Sequence, residues 1–403
     1  MSHPNTSQAS LPEPSTEALA HSQQLAESIQ SEIVKAGGQI SFCQFMQMAL
    51  YSPGLGYYSA GMQKFGKSGD FITAPEISPL FGQALAIQSQ QILKNIEHGS
   101  ILEVGAGSGR LAGDLLKELS LRNALPKHYY ILEVSADLRD RQQQYLKETI
   151  PDFYHNIIWL DQLPEPGFKG VVLANELLDA MPIELIKIEG EKLYERHVSI
   201  DKGHFIWQDK ITEKTELIDY QNKICQILAQ NKHLIDTKGS YITEVNLIAK
   251  SWITSLAEIL DEGAMLLIDY GYPELEYFHP QRHMGTLMCH YQHHRHDDPF
   301  YLPGLQDITA HVNFSDIAHT AVEAGLAVQG YTTQAHFLLA GGLEELSQRV
   351  DINNVSAYTQ MAQQIKMLTL PNEMGELFKV IYLTKGTIPD LTAFQMWDMR
   401  DRL

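Results

Sequence analysis

Cysteine is scarce in this 403-residue chain: Cys43, Cys225 and Cys289 are its only three, and they lie far apart. Such spacing offers neither a disulfide framework nor a zinc ligand set. Long apolar runs are missing as well, none reaching the roughly 18 residues needed to span a bilayer. The opening MSHPNTSQASLPEPSTEALAHSQQ has no basic start and no apolar stretch, so it does not read as a secretory signal. Together these absences predict a reducing, cytoplasmic address without membrane insertion. Positive charge is also short, 30 Lys and Arg against 49 Asp and Glu for a net of −19. A phosphate backbone is gripped by clustered Lys and Arg, and without such a block no nucleic-acid partner is expected. What remains is 44% apolar and 20% charged, enough to bury a sizeable core. At roughly 150 residues per domain, the length suits two or three folding units, or one enlarged enzyme domain.

Patterning divides the chain. Residues 1–20 read as a flexible tail. Residues 21–98 hold amphipathic helices, with Leu25, Ile29 and Ile33 on one face before Gly37 and Gly38, and then a Gly-rich stretch before a helix over 81–96. From residue 99 to 182, short apolar runs at 101–104, 129–134, 156–160 and 170–176 alternate with helices, and a fifth run follows at 264–271. Near-continuous apolar strands separated by helices predict an α/β fold with parallel strands covered on both faces. Residues 183–262 form an insertion: an antiparallel meander turning at Gly190 and Gly203, then a helix carrying Val245, Ile248, Trp252, Leu256 and Ile259 on one face. Residues 263–403 return to the core after a loop-rich stretch ending near 315.

The densest local signal is Leu102-Glu103-Val104-Gly105-Ala106-Gly107-Ser108-Gly109, leading into RLAGDLLKELS. A strand that turns into a helix through glycines lets a ligand approach the backbone closely. Glu133, ending the second strand, is placed to accept from ribose hydroxyls. Trp159, Asp161 and Gln162, ending the third, are placed to meet a base. Glu103 beside the turn would repel a pyrophosphate but suits a ligand carrying an ammonium and a sulfonium. A competing match, Gly61–Ser68, satisfies GxxxxGK[ST], with Asp269 as the acidic strand end of an ATPase. The flanking SPGLGYYSA is too broken for the strand that reading needs, and Pro75 opposes the helix.

Longer motifs resemble one family: SGDFITAPEISPLFG, LEVGAGSGRL, ILEVSADLRDRQ, LANELLDAMP, IDYGYP, GTLMCHYQHHRHDDP, QDITAHVNF and MGELFKV. In order and content they look like the MidA family of S-adenosyl-L-methionine-dependent methyltransferases, which includes a mitochondrial complex I assembly-factor arginine methyltransferase. The resemblance spans about residues 28–385. It implies a Rossmann-like class I methyltransferase core with a mostly parallel seven-stranded sheet, an N-terminal helical and lid region and an inserted α+β subdomain. S-adenosyl-L-methionine is the implied cofactor, and an arginine-bearing protein, such as a respiratory complex I-type subunit, the implied acceptor. Ala106 stands where members often carry proline.

Methyl transfer to arginine needs carboxylates that pin a guanidinium, whose delocalised charge makes it a poor nucleophile. Glu176 is the main candidate, with Asn175 and Glu244 assisting; Glu244 is expected at the start of the insertion helix. Glu176 and Asp179 could equally cap a helix after the fourth strand. Tyr291, Asp307, Thr309 and His311 are expected on the substrate side, with His311 assisting proton removal. Residues 69–76, including Asp70, Phe71, Thr73 and Pro75, are expected to form a lid over the cofactor. His290, His293, His294 and His296 are expected on a loop without metal. An assembly chaperone that binds the cofactor and a small-molecule methyltransferase are the alternative functions, and a homodimer is left open.

Overall fold

A computed structural model of the chain describes residues 11–60, 73–230 and 239–403. Its central sheet is built from β1 (Ser100–Val104), β2 (Tyr129–Leu132), β3 (Ile157–Leu160), β4 (Phe168–Asn175), β5 (Leu260–Tyr272), β6 (Ala327–Thr333) and β7 (Phe378–Lys385). The strands lie in the order β6-β7-β5-β4-β1-β2-β3. Pairings from β5 through β3 are parallel, and β7 runs antiparallel to both of its neighbours. This is the mostly parallel seven-stranded sheet expected. Two further residues, Val312 and Asn313, pair in parallel with Gly271 and Tyr272 at the end of β5.

Apolar runs without polar interruption suit strands buried on both faces, where side chains alternate between two cores. In β4, Val171 and Leu173 enter one core and Val172 and Ala174 the other. The first core is closed by Leu111, Leu115 and Leu119 from the helix Arg110–Leu121; the second by Ile253 and Leu256 from the helix Leu247–Ile259. Each such buried leucine contributes about 2 kcal/mol.

Residues 184–211 form the expected meander, Glu184–Glu189, Lys192–Asp201 and His204–Ile211, joined by Gln39–Ser41 and Tyr241–Val245 into a five-stranded antiparallel sheet. The helix Thr16–Lys35 starts inside the stretch read as tail, with the Ser15 hydroxyl accepting from the Ala18 N–H at 3.1 Å. Its Leu25, Ile29 and Ile33 pack with Phe45 and Val198 against that sheet. Between 271 and 315 the chain is less irregular than expected: Met288–Tyr291, His294–His296 and Asp307–Thr309 form a small antiparallel sheet. Strands this short, rich in histidine, carry little alternation to betray them.

Parallel strands bring the carboxyl ends of β1, β2, β4 and β5 to one edge of the sheet, where ligands of such folds collect. Glu103, Glu133, Asn175 and Asp269 all lie within a residue or so of that edge.

Candidate functional site

At this edge Gly105, Gly107 and Gly109 take φ of +72°, +54° and +83°. Left-handed backbone of this kind is glycine territory, and a Cβ on Gly105 would stand 3.1 Å from Leu177 Cδ1. The turn borders a cavity of about 280 Å³ lined by Glu103 to Ser108, Glu133, Thr73, Pro75, Asn175 and Glu176, with Tyr51, Leu138, Met181 and Trp252 as apolar walls. Gly109 caps the following helix and does not reach the cavity.

Glu133 is buried, its carboxylate accepting from the Ser135 N–H at 2.9 Å and from Gln142 Nε2 at 3.0 Å. Burial nevertheless pushes its carboxyl pKa up. Gln142 Nε2 also donates to the Gly107 carbonyl at 2.9 Å, and Trp159 Nε1 donates to Gln142 Oε1 at 3.0 Å. One buried amide thus ties the glycine turn, the second strand and the third together. Trp159 works there as a brace rather than as a surface for a base. Asp161 is 88% exposed, pairs with Arg139 at 2.7 Å, and like Gln162 does not line the cavity. Glu103 accepts from the Tyr129 hydroxyl at 2.7 Å, and burial raises its carboxyl to about 7. From above, the short helix Ala74–Ile77 closes on the turn: Glu76 meets the Ser108 hydroxyl and pairs with Arg110 at 3.1 Å, while the Ala74 N–H donates to Glu176 Oε1 at 3.4 Å. Asp70 and Phe71, and the Gly61–Ser68 match, lie outside the described residues.

After β4 the backbone of Glu176 enters the left-handed region, φ +51°, while its N–H still donates to the Ile268 carbonyl at 2.9 Å. A non-glycine residue held this way stores roughly 1–3 kcal/mol of strain, tolerated when the surroundings fix it. They do: Asp269 Oδ2 accepts from the N–H groups of Leu177, Leu178 and Asp179 at 3.1, 2.9 and 3.3 Å. Asp269, wholly buried, therefore serves the turn that the capping alternative assigned to Glu176 and Asp179, and no helix follows β4. Glu176 is left aimed inward, accepting from Asn175 Nδ2 at 3.0 Å. Asn175 Oδ1 is buried with no partner among the described atoms.

Glu176 and Tyr58 line both this cavity and a second one of about 270 Å³, walled by Asp179, Asp307, Tyr270, His290, Arg295, His311 and Phe378. The Tyr58 hydroxyl donates to Asp307 Oδ1 at 2.9 Å. Burial, with Asp179 close by, raises the Glu176 carboxyl to about 8. Asp179 itself is pushed to about 6 by burial, and Asp269 well above the ordinary range by burial and by its two acidic neighbours. Crowded carboxyls of this kind hold protons until a cation arrives. His311 packs edge-on to Tyr270, and burial lowers it to about 4, too weakly basic to take a proton at neutral pH as expected.

Glu244 departs furthest from expectation. It lies in the strand Tyr241–Val245, because Asn246 caps the helix, accepting from the Ala249 N–H at 2.8 Å. Its buried carboxylate is spent on Thr286 and Leu287 N–H groups at 2.7 and 2.9 Å and on the Tyr277 hydroxyl at 3.2 Å, and it lines neither cavity. The site residues that sequence reasoning passed over are Tyr58, Gln142 and Asp269. Asp269 had a signal, an acid ending an apolar strand, which was read only for nucleotide chemistry. Tyr58 had none, because its partner Asp307 lies far away in the sequence, whereas Gln142 closes the motif ILEVSADLRDRQ, which was read for its resemblance and not for that amide.

Residues 84–332 match the family described as S-adenosyl-L-methionine-dependent methyltransferase. Protein arginine methyltransferase NDUFAF7 homolog, mitochondrial, from Caenorhabditis elegans is 29% identical over 88% of this chain and 85% of its own length. Its Homo sapiens counterpart is 27% identical over 87% and 81%. A Burkholderia thailandensis crystal structure bound to S-adenosyl-homocysteine superposes with TM-score 0.91 at 43% identity, covering 98% of this chain and all of that one. The curated relatives are named as mitochondrial, which overturns the cytoplasmic address expected above. Three unpaired cysteines do not say which compartment holds the chain.

Proposed function

This chain belongs to the S-adenosyl-L-methionine-dependent methyltransferase family whose signature its residues 84–332 carry, and we propose that it methylates the guanidinium of an arginine in a protein substrate. The cofactor brings an electrophilic methyl group on a positively charged sulfur. The residues present fit it. Glycines at 105 and 107 leave room for close backbone approach, and Glu133 faces the cavity as an acceptor for sugar hydroxyls. The partnerless Asn175 Oδ1 and the buried Glu103 carboxyl suit a cationic amino-acid end. Thr73 and Pro75 cover the cavity from the short helix that Glu76 fastens to the glycine turn.

One observation carries the acceptor assignment: Glu176 belongs to both cavities, and the second is ringed by Glu176, Asp179 and Asp307. A guanidinium entering there replaces protons on crowded carboxyls with its own charge, and its attraction at low dielectric has to exceed the cost of releasing those protons. Ionised Glu176 would accept from two guanidinium N–H groups, one of them on the nitrogen that attacks, and so hold that nitrogen in line with the cofactor's methyl group; as N–C forms, the methyl–sulfur bond would break to leave the neutral thioether and the attacking nitrogen's proton would pass to Glu176. Tyr58 and Tyr270 exclude water from the junction. The relatives named as protein arginine methyltransferases support the same reading.

Glu176→Gln tests it. Single-turnover transfer should fall about 10²–10³-fold, as when a transition-state partner is removed, with cofactor affinity by calorimetry within a few-fold of the parent. Undiminished transfer would remove Glu176 from the chemistry.

A further inference from the structure

Against a net charge of −19, one groove collects arginines. It measures about 600 Å³ and is lined by Arg196, Arg282, Arg295, Trp207, His296 and His311, with Asp297 the one acidic side chain on its described wall. It joins the acid-lined cavity, because Met288, Arg295 and His311 line both. Arg196 is committed to structure: its guanidinium pairs with Asp209 at 3.0 Å and lies 4.3 Å over the Trp207 ring. Among the described residues, Arg282 and Arg295 are held in place without a carboxylate partner. Arg282 stacks 3.9 Å over Tyr272 and donates to the Glu276 carbonyl, while exposed Arg295 rests against the Met288 sulfur. Neither has an ion pair to a carboxylate among the described residues. Beneath the groove, Glu244 is sealed under Thr286 and Leu287 by its own hydrogen bonds and does not line it.

Cationic side chains held by aromatic stacking and carbonyls, rather than by acids, are presented for an anionic partner. From this geometry we propose that the groove binds acidic residues flanking the methyl-accepting arginine, so that the enzyme selects arginines set in carboxylate-rich sequence. The inference rests on the arginine reading above and adds to it a specificity element. The target arginine enters the acid cavity, and the chain beside it lies along the 282–297 wall with its carboxylates on Arg282 and Arg295. Two adjoining pockets of opposite sign also reject a basic segment, which would meet Arg295 at the entrance.

The test uses the full-length enzyme saturated with S-adenosyl-homocysteine and fluorescent probes read by anisotropy. The probes are a peptide with one arginine flanked by glutamates, the same peptide flanked by glutamines, one flanked by lysines, and a short single-stranded RNA. The glutamate peptide should bind at least about tenfold tighter than the glutamine peptide, with an advantage that shrinks as salt rises. Arg282→Glu with Arg295→Glu should reverse the order in favour of the lysine peptide. Retained affinity for S-adenosyl-homocysteine confirms that the variant folds, and Arg282→Gln alone should narrow the advantage if the double variant does not. Equal binding of the glutamate and glutamine peptides, or tighter binding of the RNA, overturns the proposal. Changing the peptide's arginine to norleucine separates the two readings. Selectivity for glutamate that ignores this change keeps the groove and removes the arginine assignment. Dependence on the arginine with indifference to its flanks does the opposite.

Discussion

The two cavities that meet at Glu176 are built by different means. The cofactor side is made largely of backbone, a glycine turn within one stretch from Glu103 to Gly109, supported by Glu133 two dozen or so residues on. The acceptor side is made of side chains drawn from residues 58, 176–179, 270, 288–311 and 374–378, which meet only once the sheet and its short companion strands have folded. A site written in consecutive residues announces itself through spacing. A site assembled from distant segments announces only its parts, and its chemistry appears in the shared burial of acids that look unrelated in the chain.

That contrast can be broken from either side. The largest effect is expected from Gly105→Val. The φ of +72° strains any β-branched side chain and the Leu177 Cδ1 at 3.1 Å would have to shift, so calorimetry should show cofactor affinity reduced about 100-fold or more. An intact dissociation constant would mean that the turn does not touch the cofactor. The acceptor side should respond instead to pH. With Glu176 held near 8 by burial, kcat/KM should climb roughly tenfold between pH 7 and 9 as the carboxylate forms. Glu176→Gln should flatten that limb, and a bell centred well below 7 would contradict it.

Stability should move the other way. A carboxyl whose folded pKa lies near 8 rather than near 4.5 stabilises the fold fully below about pH 4.5, and that contribution is lost as pH rises through 8. The glutamine variant escapes the loss, so its Tm should gain on the parent by a few degrees between pH 5 and 8.5, measured by scanning calorimetry. The smallest effect belongs to Asp161→Ala. Exposed and outside the cavity, it should leave cofactor affinity within about twofold, and a larger loss would restore the base-contact role expected from the sequence.

Much of the frame was legible beforehand because its causes are local. Five apolar runs of the sheet, the meander at Gly190 and Gly203, and the glycine turn all follow from patterning of short segments. Glu176 could be placed at the end of β4 but its strained backbone could not, because that depends on Asp269, which comes from the next core strand. Glu244 was misplaced for a related reason: an apolar helical face begins at Val245, but the Asn246 cap decides where the helix starts. Trp159 was recognised as important and given the wrong task, since only the fold brings Gln142 to its indole. Compartment proved least readable of all, because composition constrains redox state and not location.

The most direct measurement of the acid cavity's purpose is chemical. Purified protein is incubated with methyl-labelled cofactor and an extract lacking the endogenous enzyme, and the labelled product is hydrolysed and identified. Methylarginine released from protein is the predicted product. Label on a small metabolite, or on a protein residue other than arginine, would contradict the account of how Glu176 and its neighbouring acids are used.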